Sequence, residues 1–371
     1  MRLQQEAIES ALAAAGKRTA MPGSDPRGLK GDEVAVEYFP FVDSVPIVAD
    51  QWTMLVAHEF FDALPIHVFE KTTKGWREVL VDINAPITGG TGLQSGVTTI
   101  KESDRGVNSK EADRIHAEKG SSFRYVLSST ETPWTRLLAA SNPRFNALQP
   151  GQRVEVSPES WAAARKIGEL VSGRPASVPR AAMKQLGHGE EVADRGETQR
   201  LLGSARGGAA LIVDYGDEKA FEGSFRAFKS HAIVDPLKDP GTADLTANVD
   251  FACLKNALST TDSRSLGPMF QAHFLMALGL MPRVDALVRA NSESPEKASD
   301  IESAAKRLIE SVGMGAQYKV LGIEGKQSGD GGKQAEPEAD KIYPFDFEAE
   351  LRASAHSEKG QTQAQQANIK T

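Results

Sequence analysis

Apolar and polar positions change period several times along the chain, and each change predicts an element. Leu3, Ala7, Ile8, Ala11 and Leu12 recur at helical spacing, which predicts an amphipathic helix at the start. Pro22, Gly23, Pro26 and Gly28 punctuate a turn-rich connector, and residues 34–38 form a short strand. Met54, Leu55, Val56 and Ala57 make an uninterrupted apolar run, the pattern of a strand buried on both faces of a parallel sheet. That run ends abruptly in His58, Glu59 and Asp62, interleaved with Phe60 and Phe61, and Pro65 closes the turn.

Residues 68–70 and 78–82 predict strands across a turn at Lys74, Gly75 and Trp76. Residues 123–127 and 153–156 are further strands. Ser157 and Pro158 supply an N-cap and a first-turn proline for a helix whose apolar face holds Trp161, Ala164, Ile167, Gly168 and Val171. Residues 207–213 repeat the buried-strand pattern and end in Asp214, Tyr215 and Gly216. An apolar run followed by an acid therefore occurs twice. Residues 266–281 and 301–312 read as helices and 318–323 as a last strand. Residues 84–122 and 172–206 read as surface excursions, and 325–340 and 355–371 as disordered. Helices alternating with short apolar strands predict an α/β layered sheet.

Composition narrows this picture. The 371 residues, 40% hydrophobic and 25% charged, suit a globular protein able to bury a sizeable core. A net charge of −7 leaves no basic footprint for general nucleic-acid binding. A single cysteine, Cys253, excludes an intrachain disulfide framework and a cysteine-based zinc site within this sequence. The seven histidines lack paired metal-ligand spacing, so no metal is expected, and no apolar run is long enough to span a bilayer.

The candidate chemistry lies where the two apolar runs end. Ligands of open α/β sheets bind at the carboxyl ends of strands, where His58, Glu59 and Asp62 fall. Asp62 fits a backbone cap equally well, and Asp214 fits a turn hydrogen bond. Phe60 and Phe61 suit either a site wall or the core. His231 reads as a surface residue. The acids Asp235, Asp239, Asp244 and Asp250 stand among turn residues and read as turns and caps.

Several blocks recur in a recognisable order. They are the decapeptide 56–65 with Gly75, Trp76, Arg77 and Glu78, then residues 153–158, 207–216 and 239–251. Gly267-Pro268, Phe274-Leu275, Arg307-Leu308 and Met314-Gly315 follow. In these blocks the chain resembles the MidA-like methyltransferase family over roughly residues 1–323. The resemblance implies a class I, Rossmann-like sheet with helices on both faces and S-adenosyl-L-methionine as cofactor. It further implies protein arginine methylation in the mitochondrial matrix, on a matrix-arm core subunit of respiratory complex I, in that complex's assembly.

The family's cofactor site begins with a glycine-rich turn after its first strand and an acid ending its second. Neither is found here, because Arg2, Leu3 and Gln4 align just past that acid. The resemblance thus implies an N-terminally incomplete member lacking two strands, and it assigns no cofactor-binding residue. Without the first strand, residues 54–57 become an unpaired apolar edge open to aggregation or to pairing with another chain, a homodimer included.

Glu59 is the expected guanidinium carboxylate, since arginine's planar donors match a carboxylate, and Asp62 is either a second contact or the cap. Asp214 and Tyr215 are expected either to face the same crevice or, for Asp214, to serve a turn. His58 stands where the family usually has asparagine, so no family role passes to it. The competing expectation is a non-catalytic assembly protein that keeps the partner surface without the cofactor site.

Overall fold

The computed structural model describes residues 2–20, 28–83, 123–176, 206–325 and 342–346. The expectations for 84–122, for 355–371 and for nearly all of 172–206 and 325–340 lie outside these residues. The chain divides into two compact units, residues 1–46 and 47–371. In the first, helix α1 (Arg2–Ala14) precedes the parallel strands β1 (Arg18–Thr19) and β2 (Glu33–Val34). The ion pairs of Arg18 with Asp32 (2.8 Å) and Glu33 (2.9 Å) join the connector's two ends. The strand expected over 34–38 is thus shorter and begins earlier.

The second unit starts with β3 (Thr53–His58), β4 (His67–Thr72), β5 (Gly75–Ile83), β6 (Phe123–Leu127) and β7 (Arg153–Val156). Helix α2 (Pro158–Ser172) and β8 (Gly208–Asp217) come next, then β9 (Arg226–Lys229), β10 (Ala232–Val234), β11 (Asp244–Thr246) and β12 (Val249–Asp250). The run finishes with α3 (Phe251–Leu258), β13 (Ser263–Phe270), α4 (Gln271–Ala277), α5 (Leu280–Ala290), α6 (Pro295–Ile309), α7 (Met314–Gln317) and β14 (Tyr318–Gly325).

Strand β8 is the axis of a mixed sheet. It pairs in parallel with β3 and β12, and antiparallel with β14, which in turn pairs with β13. Its glycines are required by close approach: a Cβ at Gly208 would strike the carbonyl of Thr53, and one at Gly216 that of Val249. Helix α2 packs across β3, β8, β13 and β14 and against α3. It begins as its sequence predicts, with Ser157 Oγ accepting from Ser160 N–H and Pro158 in the first turn, and it ends on Gly173 at φ 66°. Ala164, Ile167 and Val171 on its inner face are at most 1% exposed.

Strand β3 departs from the expectation of burial on both faces. Ala57 is buried, but Met54 is 76% and Val56 63% exposed. Because alternate side chains point to opposite faces, the face carrying 54 and 56 is bare. Among the described residues β3 pairs with β8 alone, so its outer edge is also free. Among the described residues, then, a four-residue apolar run marks a strand paired on one edge and covered on one face.

The second departure lies at 266–281. The expected single helix is the strand β13 followed by α4, with Met269 of the strand 1% exposed. The pairing of β13 with β14 is irregular between Leu266 and Met269, where Gly267 takes φ 90°. Apolar spacing there suits a half-buried strand as well as a helix, and the partner strand decides the outcome.

A separate antiparallel sheet, ordered β6-β5-β4-β7, carries the hairpin expected around Gly75. Phe69, Trp76, Phe145 and Val154 form its core. Strand β9 pairs with β10 and β11 in a third small sheet, and the two-residue turn at Ser230 (φ 50°) and His231 (φ 62°) leaves the His231 side chain exposed. Asp250 caps α3 by accepting from Cys253 N–H and is held bidentately by Arg144 (2.7 and 3.1 Å). Asp235 accepts from Leu237 N–H. These two acids serve a cap and a turn, as the sequence predicts.

Candidate active site

The carboxyl ends of β3 and β8 lie side by side because the strands run parallel in register, from Thr53 opposite Gly208 to His58 opposite Val213. The acids after each run therefore converge. Glu59 N–H extends the ladder to Val213 O (3.0 Å), and Glu59 then takes φ 48°, turning the chain sharply away from the sheet. That left-handed conformation is strained for a non-glycine residue.

Asp214 holds the turn. It is 0% exposed, and its carboxylate accepts from the backbone N–H groups of Phe61 (3.0 Å), Asp62 (3.3 Å) and Tyr215 (2.9 Å). Burial, and next the charge of Asp62, push its pKa up to about 7 against the lowering effect of those three donors. The cap expected of Asp62 thus belongs to Asp214, which lies within β8 and not at its end, since β8 continues to Asp217.

Asp62 is 8% exposed and has a different environment. One carboxylate oxygen accepts from the Tyr215 hydroxyl, and the other, Oδ1, is buried with no partner among the described residues. An unsatisfied buried acceptor of this kind costs about 1–3 kcal/mol. Tyr215 has its own pKa raised by burial and by this bond. The Arg226 guanidinium sits over its ring at 5.0 Å while donating to Asn248 Oδ1 (3.0 Å) and Ser224 O (3.2 Å).

Glu59 lies on the solvent side, where its Oε1 accepts from the Tyr318 hydroxyl at 2.6 Å. Tyr318 stands opposite Tyr215 in the β14–β8 register, and their rings meet edge to face at 5.5 Å. Burial and the Glu59 bond raise the Tyr318 pKa. His58 is exposed on the bare face of β3. The structure therefore links Glu59, Asp62, Asp214 and Tyr215 through one network, with His58 beside it. Phe61 is 3% exposed and packs edge to face on the partly exposed Phe60 at 5.1 Å.

Sequence reasoning missed Tyr318 and Arg226. Their contacts are made across strands far apart in the chain, and neither residue carries a local signal. It also missed Glu155, which accepts from Ser224 N–H (2.8 Å), Phe225 N–H (3.1 Å) and the Ser224 hydroxyl and so fixes the loop before β9. Beyond Asp62 a groove of about 490 Å³ opens between the turn at 62–66, strands β4 and β5, and the end of β11. Leu64, Ile66, Val79, Phe225 and Leu245 give it apolar walls, and Asp62, Thr246, His67 and Glu78 are polar groups on its lining. His67 Nδ1 is 2.7 Å from Glu78 Oε1.

Three comparisons bear on this arrangement. A family model described as "Putative S-adenosyl-L-methionine-dependent methyltransferase" matches residues 1–269. Among curated relatives, the protein arginine methyltransferase NDUFAF7, mitochondrial, of Bos taurus is 26% identical over 86% of this chain and 56% of its own length. The Homo sapiens protein of the same name is 27% identical over the same shares, 86% and 56%. The Drosophila melanogaster homolog is 30% identical over 74% of this chain and 48% of its own length. The chain spans about half the length of these relatives.

A crystal structure from Burkholderia thailandensis with S-adenosyl-homocysteine bound superposes with a TM-score of 0.51 at 18% identity, covering 91% of this chain and 71% of that one. A second structure from the same organism gives 0.52 at 18% identity, over 87% and 71%. These likenesses show a shared fold. The chain belongs to the S-adenosyl-L-methionine-dependent methyltransferase family whose model it matches.

The described residues do not complete a cofactor cradle of the expected kind. No glycine-rich turn follows β3, which runs into Glu59 and Phe60, and Gly216 lies within β8 against the Val249 backbone. The neighbouring carboxylates suit donors such as hydroxyls or a guanidinium, but no backbone here is stripped of side chains for close approach to an adenosyl group.

Proposed function

We propose that this family member carries the substrate-facing side of an S-adenosyl-L-methionine-dependent protein arginine methyltransferase. In this reading it acts in the mitochondrial matrix on a core subunit of the complex I matrix arm, during that complex's assembly. The carrying observation is the meeting of Glu59 and Asp62, just past the carboxyl end of β3, with Asp214 and Tyr215 of the parallel strand β8. The curated relatives, named as mitochondrial protein arginine methyltransferases, support it.

Methylating a guanidinium requires its nitrogen to be held on line with the methyl carbon, and orientation supplies much of the rate. Carboxylates do this well because they take the planar donors in pairs. Glu59 and Asp62 are the carboxylates, Asp214 positions the turn that bears both, and Tyr215 orients Asp62. His58 borders the entrance from the bare face of β3.

A second reading is favoured by β3 pairing only with β8, and by no glycine-rich turn following β3, among the described residues: a non-catalytic assembly protein that keeps the partner surface. Calorimetric titration with S-adenosyl-L-methionine, followed by mass spectrometry of an incubated arginine-containing protein substrate, separates the two. The chain alone is expected to bind the cofactor weakly or not at all. Micromolar affinity with a methylated product establishes the enzymatic reading for this chain by itself. No binding, with retained capture of the protein substrate, favours the second.

A further inference from the structure

The groove beyond Asp62 has a use that the strand-end acids alone do not suggest. Its volume of about 490 Å³ falls within the range of ligand pockets, about 300–1,000 Å³. Its polar lining is strongly one-sided. Asp62 and Glu78 bring carboxylates, no lysine or arginine lines it among the described residues, and its single histidine, His67, faces Glu78 at 2.7 Å. Asp62 Oδ1 is buried without a partner among the described residues, and Thr246 Oγ1 is buried close to the Tyr215 hydroxyl, whose pKa it lowers. Asp62 Oδ1 therefore lacks a donor, Thr246 Oγ1 keeps acceptor capacity, and their residues lie on neighbouring stretches joined by the bond from Ala247 N–H to Asp62 O (3.0 Å). Leu64, Val79, Leu245 and the 56%-exposed Val81 are among its apolar lining residues.

We infer that this groove is the seat of an arginine side chain of the protein substrate, guanidinium on Asp62 and Thr246, stem along the apolar wall. The assignment rests on the methyltransferase reading and sharpens it. Of the two carboxylates, Asp62 is the one that lines the groove. A planar cation with several donors answers two separate acceptors at once, which an ammonium point charge does less well. The methylene stem matches the aliphatic lining, so the groove discriminates against short cations too. Asp214 and Tyr215 act as positioning residues, because they touch Asp62 or its backbone and do not line the groove.

The test uses equilibrium binding to the chain with no methyl donor present, so its outcome is independent of turnover. The probes are a blocked tripeptide with central arginine, its neutral citrulline isostere and its lysine analogue, followed by ligand-observed NMR. The arginine peptide is expected to bind at least roughly tenfold more tightly than the citrulline peptide, and more tightly than the lysine peptide. Asp62→Asn should remove the preference, and Thr246→Val should weaken the arginine peptide alone. Val81→Arg, at an exposed position, should repel the arginine peptide while leaving the thermal transition in place. Equal binding of arginine and citrulline peptides overturns the assignment, and so does binding indifferent to both Thr246→Val and Val81→Arg. If binding follows the expected pattern but methylation fails under every condition, the groove assignment stands and the enzymatic reading falls. Methylation without groove-dependent binding does the reverse, keeping the enzymatic reading and removing the groove assignment.

Discussion

Strands β3 and β8 begin from the same pattern, an apolar run that stops at an acid, and they end in opposite situations. Strand β8 has partners on both sides, with Ile212 0% exposed and Asp214 buried under three backbone donors. Strand β3 has one partner among the described residues, shows Met54 and Val56 to solvent, and leads to an acid with an oxygen to spare. The difference teaches that a strand's place in the sheet, more than its own composition, sets what its acid does. A central strand's acid is surrounded by main chain and becomes structural. The acid that follows the edge strand keeps a buried oxygen with no donor among the described residues.

The comparison is open to attack by substitution. The largest effect is expected from Asp214→Ala, which strands three N–H donors and should lower unfolding free energy by roughly 3–5 kcal/mol. Asp62→Ala removes one bond and should cost much less by the same urea titration. Equal losses would erase the distinction between the two acids. Ile212→Ala on β8 should cost about 2–5 kcal/mol through cavity formation. Met54→Ala on β3 should fall within about 0.5 kcal/mol, as for an exposed surface position. A large loss at Met54 would mean that its face is covered in solution.

A pH series sharpens the point further. Because burial raises the Asp214 pKa from 3.8 to about 7, the folded state holds its proton more firmly than the unfolded one. The resulting contribution is fully present below 3.8 and is lost as pH rises through about 7. Chemical denaturation across that window should show stability falling with pH, and Asp214→Asn should flatten the slope. An unchanged slope removes Asp214 from the account. The smallest effect on stability is expected at the free edge. Val56→Lys should leave the thermal transition nearly unmoved while reducing self-association in sedimentation velocity, since edge lysines block strand addition. Self-association that ignores the substitution would show that another surface mediates it.

Much of this architecture is legible in the sequence. Helix α2 announces itself with a cap, a proline and an apolar face, and the β4–β5 hairpin with its glycine turn. Both are set by local chemistry: the hydrogen bond from Ser160 N–H to Ser157 Oγ needs only three residues of chain. Strand β13 is hidden inside an apparent helix, because its partner β14 lies some fifty residues further on. The site divides the same way. Glu59, Asp62, Asp214 and Tyr215 are visible as acids and an aromatic that follow apolar runs, whereas Tyr318 and Arg226 reach them, and Glu155 holds the loop before β9, only across strands.

By itself, then, the sequence determined the alternation of strands and helices, the parallel pair of apolar runs, and the residue types that close them. Those follow from side-chain periodicity and from caps and turns, which act over a few residues. Only the tertiary structure decided which run is central and which is an edge, which acid caps the turn, and which oxygen is left without a donor. Burial and hydrogen-bond satisfaction depend on neighbours supplied by distant parts of the chain. Two identical local patterns can therefore acquire opposite roles.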